Sequence, residues 1–293
     1  MRTLGQLFLS SRPLSWVNTA FPFAAAYLMT TRTVDVTFIV ATLFFLVPYN
    51  LAMYGINDVF DYESDLRNPR KGGVEGAVLD RSLHRITLWA ALITNVPFLV
   101  YLVAVGSPLS WLVLGVSMFA VVAYSVKGLR FKEVPFLDSI TSSTHFVSPA
   151  VYGAVLAGAV FTPALWLVLA AFFLWGMASH AFGAVQDIQA DREGNLASVA
   201  TVIGAASTAR FALACYVLAS GLIACGALFA VPAWSFGVAA ATAIPYILMV
   251  LPYRSLSDAN CEQANRGWRK FLAINFVVGF VITMLLIVRW VAS

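Results

Sequence analysis

Nine apolar runs dominate this chain, and each is about long enough to cross a bilayer as a helix, which takes roughly 20 residues. They fall near residues 14–30, 38–56, 86–105, 109–124, 140–157, 164–185, 209–230, 234–251 and 271–288. In hydrocarbon every backbone N–H and C=O needs a partner within the protein, and a helix supplies one inside its own segment. The expected fold class is therefore all-α, a polytopic membrane protein with about nine transmembrane helices. Composition agrees: 60% of residues are hydrophobic and 11% charged, against about 25% charged in a soluble domain. The mean hydropathy is +0.83. Such a chain cannot coat a water-exposed surface, and no nucleic-acid partner is expected. Gly106-Ser107-Pro108, Thr162-Pro163 and Val231-Pro232 mark short connections. No linker or low-complexity segment divides 1–293, so a single transmembrane domain is expected.

Arg2 and Arg12 precede the first apolar run, which has no evident cleavage site and reads as a first helix rather than a removed signal peptide. Cys215 and Cys225 share one apolar run and Cys261 lies in a polar loop, so no disulfide framework is expected. With nine spans, 16 of the 18 basic residues fall on one side, leaving Arg32 and Arg289 opposite. The positive-inside rule makes the crowded side cytoplasmic. The C-terminus then lies outside. Every acid except Asp35 shares the cytoplasmic side.

Two acidic clusters close apolar runs on that side. The first is Asn57-Asp58-Val59-Phe60-Asp61-Tyr62-Glu63-Ser64-Asp65. On a continuous helix Asp58, Asp61 and Asp65 share one face, where carboxylates repel one another unless a cation sits among them. Carboxylate oxygens suit Mg²⁺ and Ca²⁺, and Mg²⁺ commonly shares its shell with a substrate's phosphates. The second cluster is Asp187-Ile188-Gln189-Ala190-Asp191, again with two acids on one helical face. The clusters read as two halves of one metal–diphosphate site. Small and amide residues precede both (Gly55-Ile56-Asn57; Gly183-Ala184-Val185-Gln186). This repetition predicts two pseudo-repeated four-helix units plus one helix.

Plainer readings compete. A lone acidic trio at a helix end is commonly a solvated terminus, but two clusters on one side favour function. Lys127 and Arg130 equally satisfy the positive-inside rule. His145 and His180 lie within apolar runs, where a buried, hydrogen-bonded imidazole is the simpler account against a functional one. Asn18 and Asn50 suit interhelical hydrogen bonds, Asp138 suits an N-cap, and Trp16, Trp111, Trp234 and Trp290 suit interfacial anchors. A cation-coupled transporter would place its acids near the midplane on broken helices, whereas here they sit at span ends. A non-catalytic scaffold has no use for five clustered aspartates.

The two Asp motifs, the run count and Tyr124-Ser125-Val126-Lys127 after the fourth run resemble the UbiA-type intramembrane prenyltransferase superfamily. Within it the chain is similar to the lycopene elongases of actinobacteria, through Ser15 to Ala20, Tyr54 to Gly76, Thr141 to Phe146, Gly183 to Asp187 and Asp258 to Arg266. The resemblance implies Mg²⁺-dependent transfer of dimethylallyl groups from dimethylallyl diphosphate to the ends of lycopene, with hydration, giving a flavuxanthin-type carotenoid. It implies Asp58, Asp61, Asp65, Asp187 and Asp191 as metal ligands. Asp58, Asp61, Asp187, Asp191, Tyr124 and Lys127 are the implied catalytic residues, and Asn57, Arg67, Lys71 and Arg130 the donor-binding ones. Relatives carry a Ser-Ala-Pro-Pro-like turn after the Tyr; Val126-Lys127-Gly128 stands there in this chain, so the assignment of Lys127 rests on its loop alone. Phe60, Tyr62, Tyr54, Tyr124 and Phe146 are candidates to shelter an allylic cation. Membrane lipid and other carotenoid-pathway enzymes are implied partners, the cell membrane the implied location. The alternative is an aromatic, quinone-precursor or other lipid acceptor.

Overall fold

The computed structural model describes residues 2–66 and 79–292. All regular structure among them is helical. The chain divides into two compact units, Met1–Phe131 with His145–Ala159, and Lys132–Thr144 with Val160–Ser293. The first unit holds α1 (Arg2–Ser10), α2 (Val17–Thr31), α3 (Val36–Leu46), α4 (Pro48–Phe60), α5 (Tyr62–Asp65), α6 (His84–Val105) and α7 (Pro108–Ser125). In α8 (Leu137–Leu156), residues up to Thr144 belong to the second unit and those from His145 to the first. The second unit continues with α9 (Pro163–Val185), α10 (Ile188–Glu193), α11 (Val199–Ile203), α12 (Ala205–Gly226), α13 (Ala233–Ala241), α14 (Ile244–Val250) and α15 (Asn265–Ala292).

Local chemistry sets the breaks. Pro48 splits the second expected run into α3 and α4, since its ring lacks an N–H and clashes with the preceding turn. The eighth run divides in the same way into α13 and α14, with Pro245 in the first turn of α14. Asp35 starts α3 by accepting the Phe38 N–H at 2.7 Å, and Ser107 and Ser110 form a reciprocal capping box at the start of α7.

The core of the first unit is aromatic: Phe23, Phe44, Phe45, Tyr49 and Tyr152 are fully buried, with Phe45 and Tyr49 centroids 5.2 Å apart. Asn50 ties its helices together as expected, donating to Thr19 Oγ1 at 2.7 Å and to the Phe45 carbonyl at 2.8 Å. The second unit packs α9 against α12 through small residues, including Ala178, Ala205, Ala209 and Ala212, all buried. Small side chains let membrane helices approach closely.

Outward faces carry large apolar side chains. Leu92, Ile93, Val96, Val100 and Val103 of α6 are exposed, as are Phe276, Val277, Phe280 and Ile287 of α15. Contiguous apolar surface of this kind marks contact with hydrocarbon. Seven helical stretches among the described residues are long and apolar enough to cross a membrane, and the chain is a multi-pass membrane protein. At the two other expected positions stand α2, with 15 residues, and α8, whose buried Asp138, Thr141, His145 and Ser148 make it more polar.

Candidate active site

The first acidic cluster does not lie on one continuous helix. α4 ends at Phe60 and Asp61 is its C-cap, with φ −98° and ψ 0°, after which α5 begins. This corrects the single-face reading of Asp58, Asp61 and Asp65: the backbone bend at Asp61 turns the chain between the two short helices. Asn57 Nδ2 donates to Asp61 Oδ2 at 2.7 Å and to Ser125 Oγ at 3.0 Å, fastening the end of α4 to the end of α7. Arg130, in the left-handed region at φ 42°, brings its guanidinium 3.8 Å from Asp61 Oδ1.

Asp58 has different surroundings. It is buried, with Arg12 Nη2 donating to Oδ1 at 2.6 Å and Ser10 Oγ donating to Oδ2 at 2.7 Å. Three of the candidate aromatics also have neighbours. Arg12 lies over Tyr54, Arg81 lies over Tyr62 while His84 meets its edge, and Tyr124 makes an edge contact with His145, centroids 5.3 Å apart. Lys127 is exposed. Arg67 and Lys71 lie outside the described residues, as does the side chain of Asp65.

In the second unit Asp187 is the N-cap of α10 and Asp191 follows one turn later, its N–H donating to the Asp187 carbonyl at 2.8 Å. Both are half-buried. Flanking side chains fix this short helix. Asn265 Nδ2 donates to Gln186 Oε1 at 2.6 Å, and Gln189 Nε2 to the Ala259 carbonyl at 3.1 Å. Arg192 pairs with Asp258 at 2.8 Å, whose other oxygen accepts the Ala205 N–H at 2.7 Å. At Gly204, φ is +80° and an added Cβ would sit 3.0 Å from Asp258, so a side chain there would be strained. Asp138 departs from the expected N-cap role for its own helix. Its Oδ2 accepts the Val199 N–H at 2.7 Å and so holds the start of α11. His180 has the expected hydrogen-bonded imidazole, with Nδ1 3.1 Å from Ser139 Oγ.

The structure thus brings Asn57, Asp61 and Arg130 together in one unit and Asp187 and Asp191 in the other. Sequence reasoning missed Ser10, quoted Ser125, Asp258 and Asn265 within its motifs without giving them a role, and used Arg12 only for its charge. Their partners lie 46 to 79 residues away along the chain, a separation at which local patterning carries no signal.

A multi-pass helical body whose helix ends carry Asn- and Asp-rich clusters is that of an intramembrane prenyltransferase. The UbiA prenyltransferase family profile matches residues 19–277, and the chain belongs to this family. It is 54% identical over 287 residues to a lycopene elongase/hydratase of Corynebacterium glutamicum, covering 98% of each chain. It is 58% identical to the C(50) beta-cyclic carotenoids biosynthesis protein LbtBC of Dietzia sp., but spans only 65% of that protein's length. Among solved structures, a UbiA homolog from Archaeoglobus fulgidus bound to GPP and Mg²⁺ superposes with TM-score 0.70 at 17% identity, over 93% of this chain and 99% of the other, a likeness of fold.

Proposed function

We propose that the chain is a lycopene elongase that transfers dimethylallyl groups from dimethylallyl diphosphate to the ends of lycopene and captures water in the product. The observation that carries this reading is the 54% identity across 98% of both chains to the Corynebacterium relative of that name. The donor atoms suit Mg²⁺, because oxygen ligands are what it prefers. Asn57 spends its amide nitrogen on Asp61 and Ser125, which leaves its carbonyl oxygen for a cation. Asn57, Asp61, Asp65, Asp187 and Asp191 would hold the metal. When bound, Mg²⁺ neutralises the diphosphate and improves it as a leaving group.

The chain's own groups do the rest. Arg130, beside Asp61, and Lys127 bind diphosphate oxygens, the guanidinium being the better bidentate partner. Arg67 and Lys71 are assigned the same duty from the sequence. The Tyr124 ring helps to shelter the allylic cation left when the C–O bond breaks. The terminal double bond of lycopene attacks that carbon, and the resulting tertiary cation takes up water and releases a proton.

Expression in a lycopene-making bacterium should yield a singly and then a doubly extended, hydroxylated pigment, with nearly unchanged colour because the conjugated chain is untouched. Unchanged lycopene, with prenylation of an added aromatic acid, would move the protein to the alternative acceptor class. Sidedness is a further expectation. Single cysteines placed at Lys132, Gly194 and Asn260 in a cysteine-free background should label from the cytoplasm, and those at Ser107 and Val160 from outside. Outside labelling at Gly194 would remove the second cluster from a cytoplasmic site.

A further inference from the structure

The segment between α1 and α2 is fastened to the acidic end of α4 by groups that the proposed chemistry does not use. Asp58 is 1% exposed, and the Arg12 side chain 12%. Both Asp58 oxygens are engaged at 2.6–2.7 Å, by the Arg12 guanidinium and the Ser10 hydroxyl. The guanidinium also lies 5.1 Å from the Tyr54 ring centroid. Arg12 holds φ 53°, a region L side chains rarely adopt, and it precedes Pro13, which narrows its freedom further. Neighbouring bonds keep the bend: Ser11 Oγ donates to the Phe8 carbonyl at 2.6 Å and Trp16 Nε1 to the Ser11 carbonyl at 2.9 Å.

A metal-ligating carboxylate has to turn lone pairs towards a cation. Each Asp58 oxygen already accepts a short bond, one of them charge-assisted, and the guanidinium places a positive charge where a second cation would be repelled. At Asp61 the Asn57 amide donates to Oδ2 at 2.7 Å and the Arg130 guanidinium stands 3.8 Å from Oδ1. We infer that Asp58 is a positioning residue, the counter-ion that holds Arg12 and its segment on the last turn of α4 beside Asn57 and Asp61, and that the metal is held without it. The inference rests on the metal-dependent reading above.

Mn²⁺ binding by the purified, EDTA-stripped full chain, read by electron paramagnetic resonance with inorganic pyrophosphate present, tests it. Asp58→Asn and Arg12→Gln should leave the Mn²⁺ dissociation constant within about twofold, while Asp61→Asn raises it at least about tenfold, the scale for disturbing a metal site. In EDTA each of the first two variants should lower the melting temperature, and the double variant no further than the worse single one, because the two residues act as one pair. The swap Arg12→Asp with Asp58→Arg should recover melting and Mn²⁺ binding together, which is impossible if position 58 must ligate. A tenfold loss of Mn²⁺ affinity in Asp58→Asn, on the same scale, overturns the inference. So does a comparable gain in Arg12→Gln, which would make Arg12 a competitor that the metal displaces. A wild-type chain that binds no Mn²⁺ sinks the metal reading instead; the metal-free melting cycle then decides the pairing, and additive losses overturn it.

Discussion

Asp61→Asn is expected to lower prenyl transfer by about 10²- to 10³-fold, the scale for removing one preorganised group that stabilises charge in a transition state. The substitution keeps the side chain's shape and its place at the end of α4, removes the charge and leaves one acceptor oxygen, enough to receive the Asn57 amide. Asp61 is the carboxylate that Asn57 and Arg130 approach, so its loss strikes the centre of the cluster in the first unit. Asp187→Asn should act on the same scale in the second. EDTA should silence the wild type in the same way, and added Mg²⁺ should restore it. Turnover of labelled dimethylallyl diphosphate in lycopene-loaded vesicles measures each case, with melting temperature as a check on folding. Full activity of Asp61→Asn, or of the wild type in EDTA, would remove the metal from the mechanism.

The second large effect is on stability. Asp138 is fully buried, and its carboxylate accepts the Val199 N–H at 2.7 Å and the Ser139 N–H at 2.6 Å. Val199 is itself buried at the first position of α11, where a helix N–H has no partner within the helix. Asp138→Ala strands that donor away from water, and the cost of an unsatisfied buried group together with a lost charged acceptor is about 3 kcal/mol. Asp138→Asn keeps an acceptor oxygen and should cost roughly half as much. Tryptophan fluorescence during heating in detergent reads both. Wild-type melting of Asp138→Ala would show that α11 is held by other means.

Class and family were legible in the sequence because they depend on local quantities: run length, hydropathy, charge placement and short motifs. The helix breaks at Pro48 and Pro245 follow from proline chemistry, but the long apolar runs around them read as single spans. The bend at Asp61 carried no such mark, since nothing in Phe60-Asp61-Tyr62 forbids a helix. The roles of Asp58 and Asp138 were hidden for a different reason. Their partners, Arg12 and Val199, stand 46 and 61 residues away, and a helical wheel shows which acids share a face without showing which are already taken by a distant segment. The polar character of α8 has the same origin, because Asp138, Thr141, His145 and Ser148 look unsuited to a membrane until their burial is known.

The link between Arg12 and Asp58 also has an order in time. Arg12 leaves the ribosome 46 residues before its partner, so while the first apolar run is being threaded into the bilayer its charge is uncompensated and counts in setting the orientation of that run. Once α4 has formed, the same charge is matched and nearly hidden from solvent. A variant such as Arg12→Gln therefore acts twice, first on how the nascent chain is oriented and later on how the finished protein is held together. Counting correctly inserted molecules separately from stable ones tells the two apart.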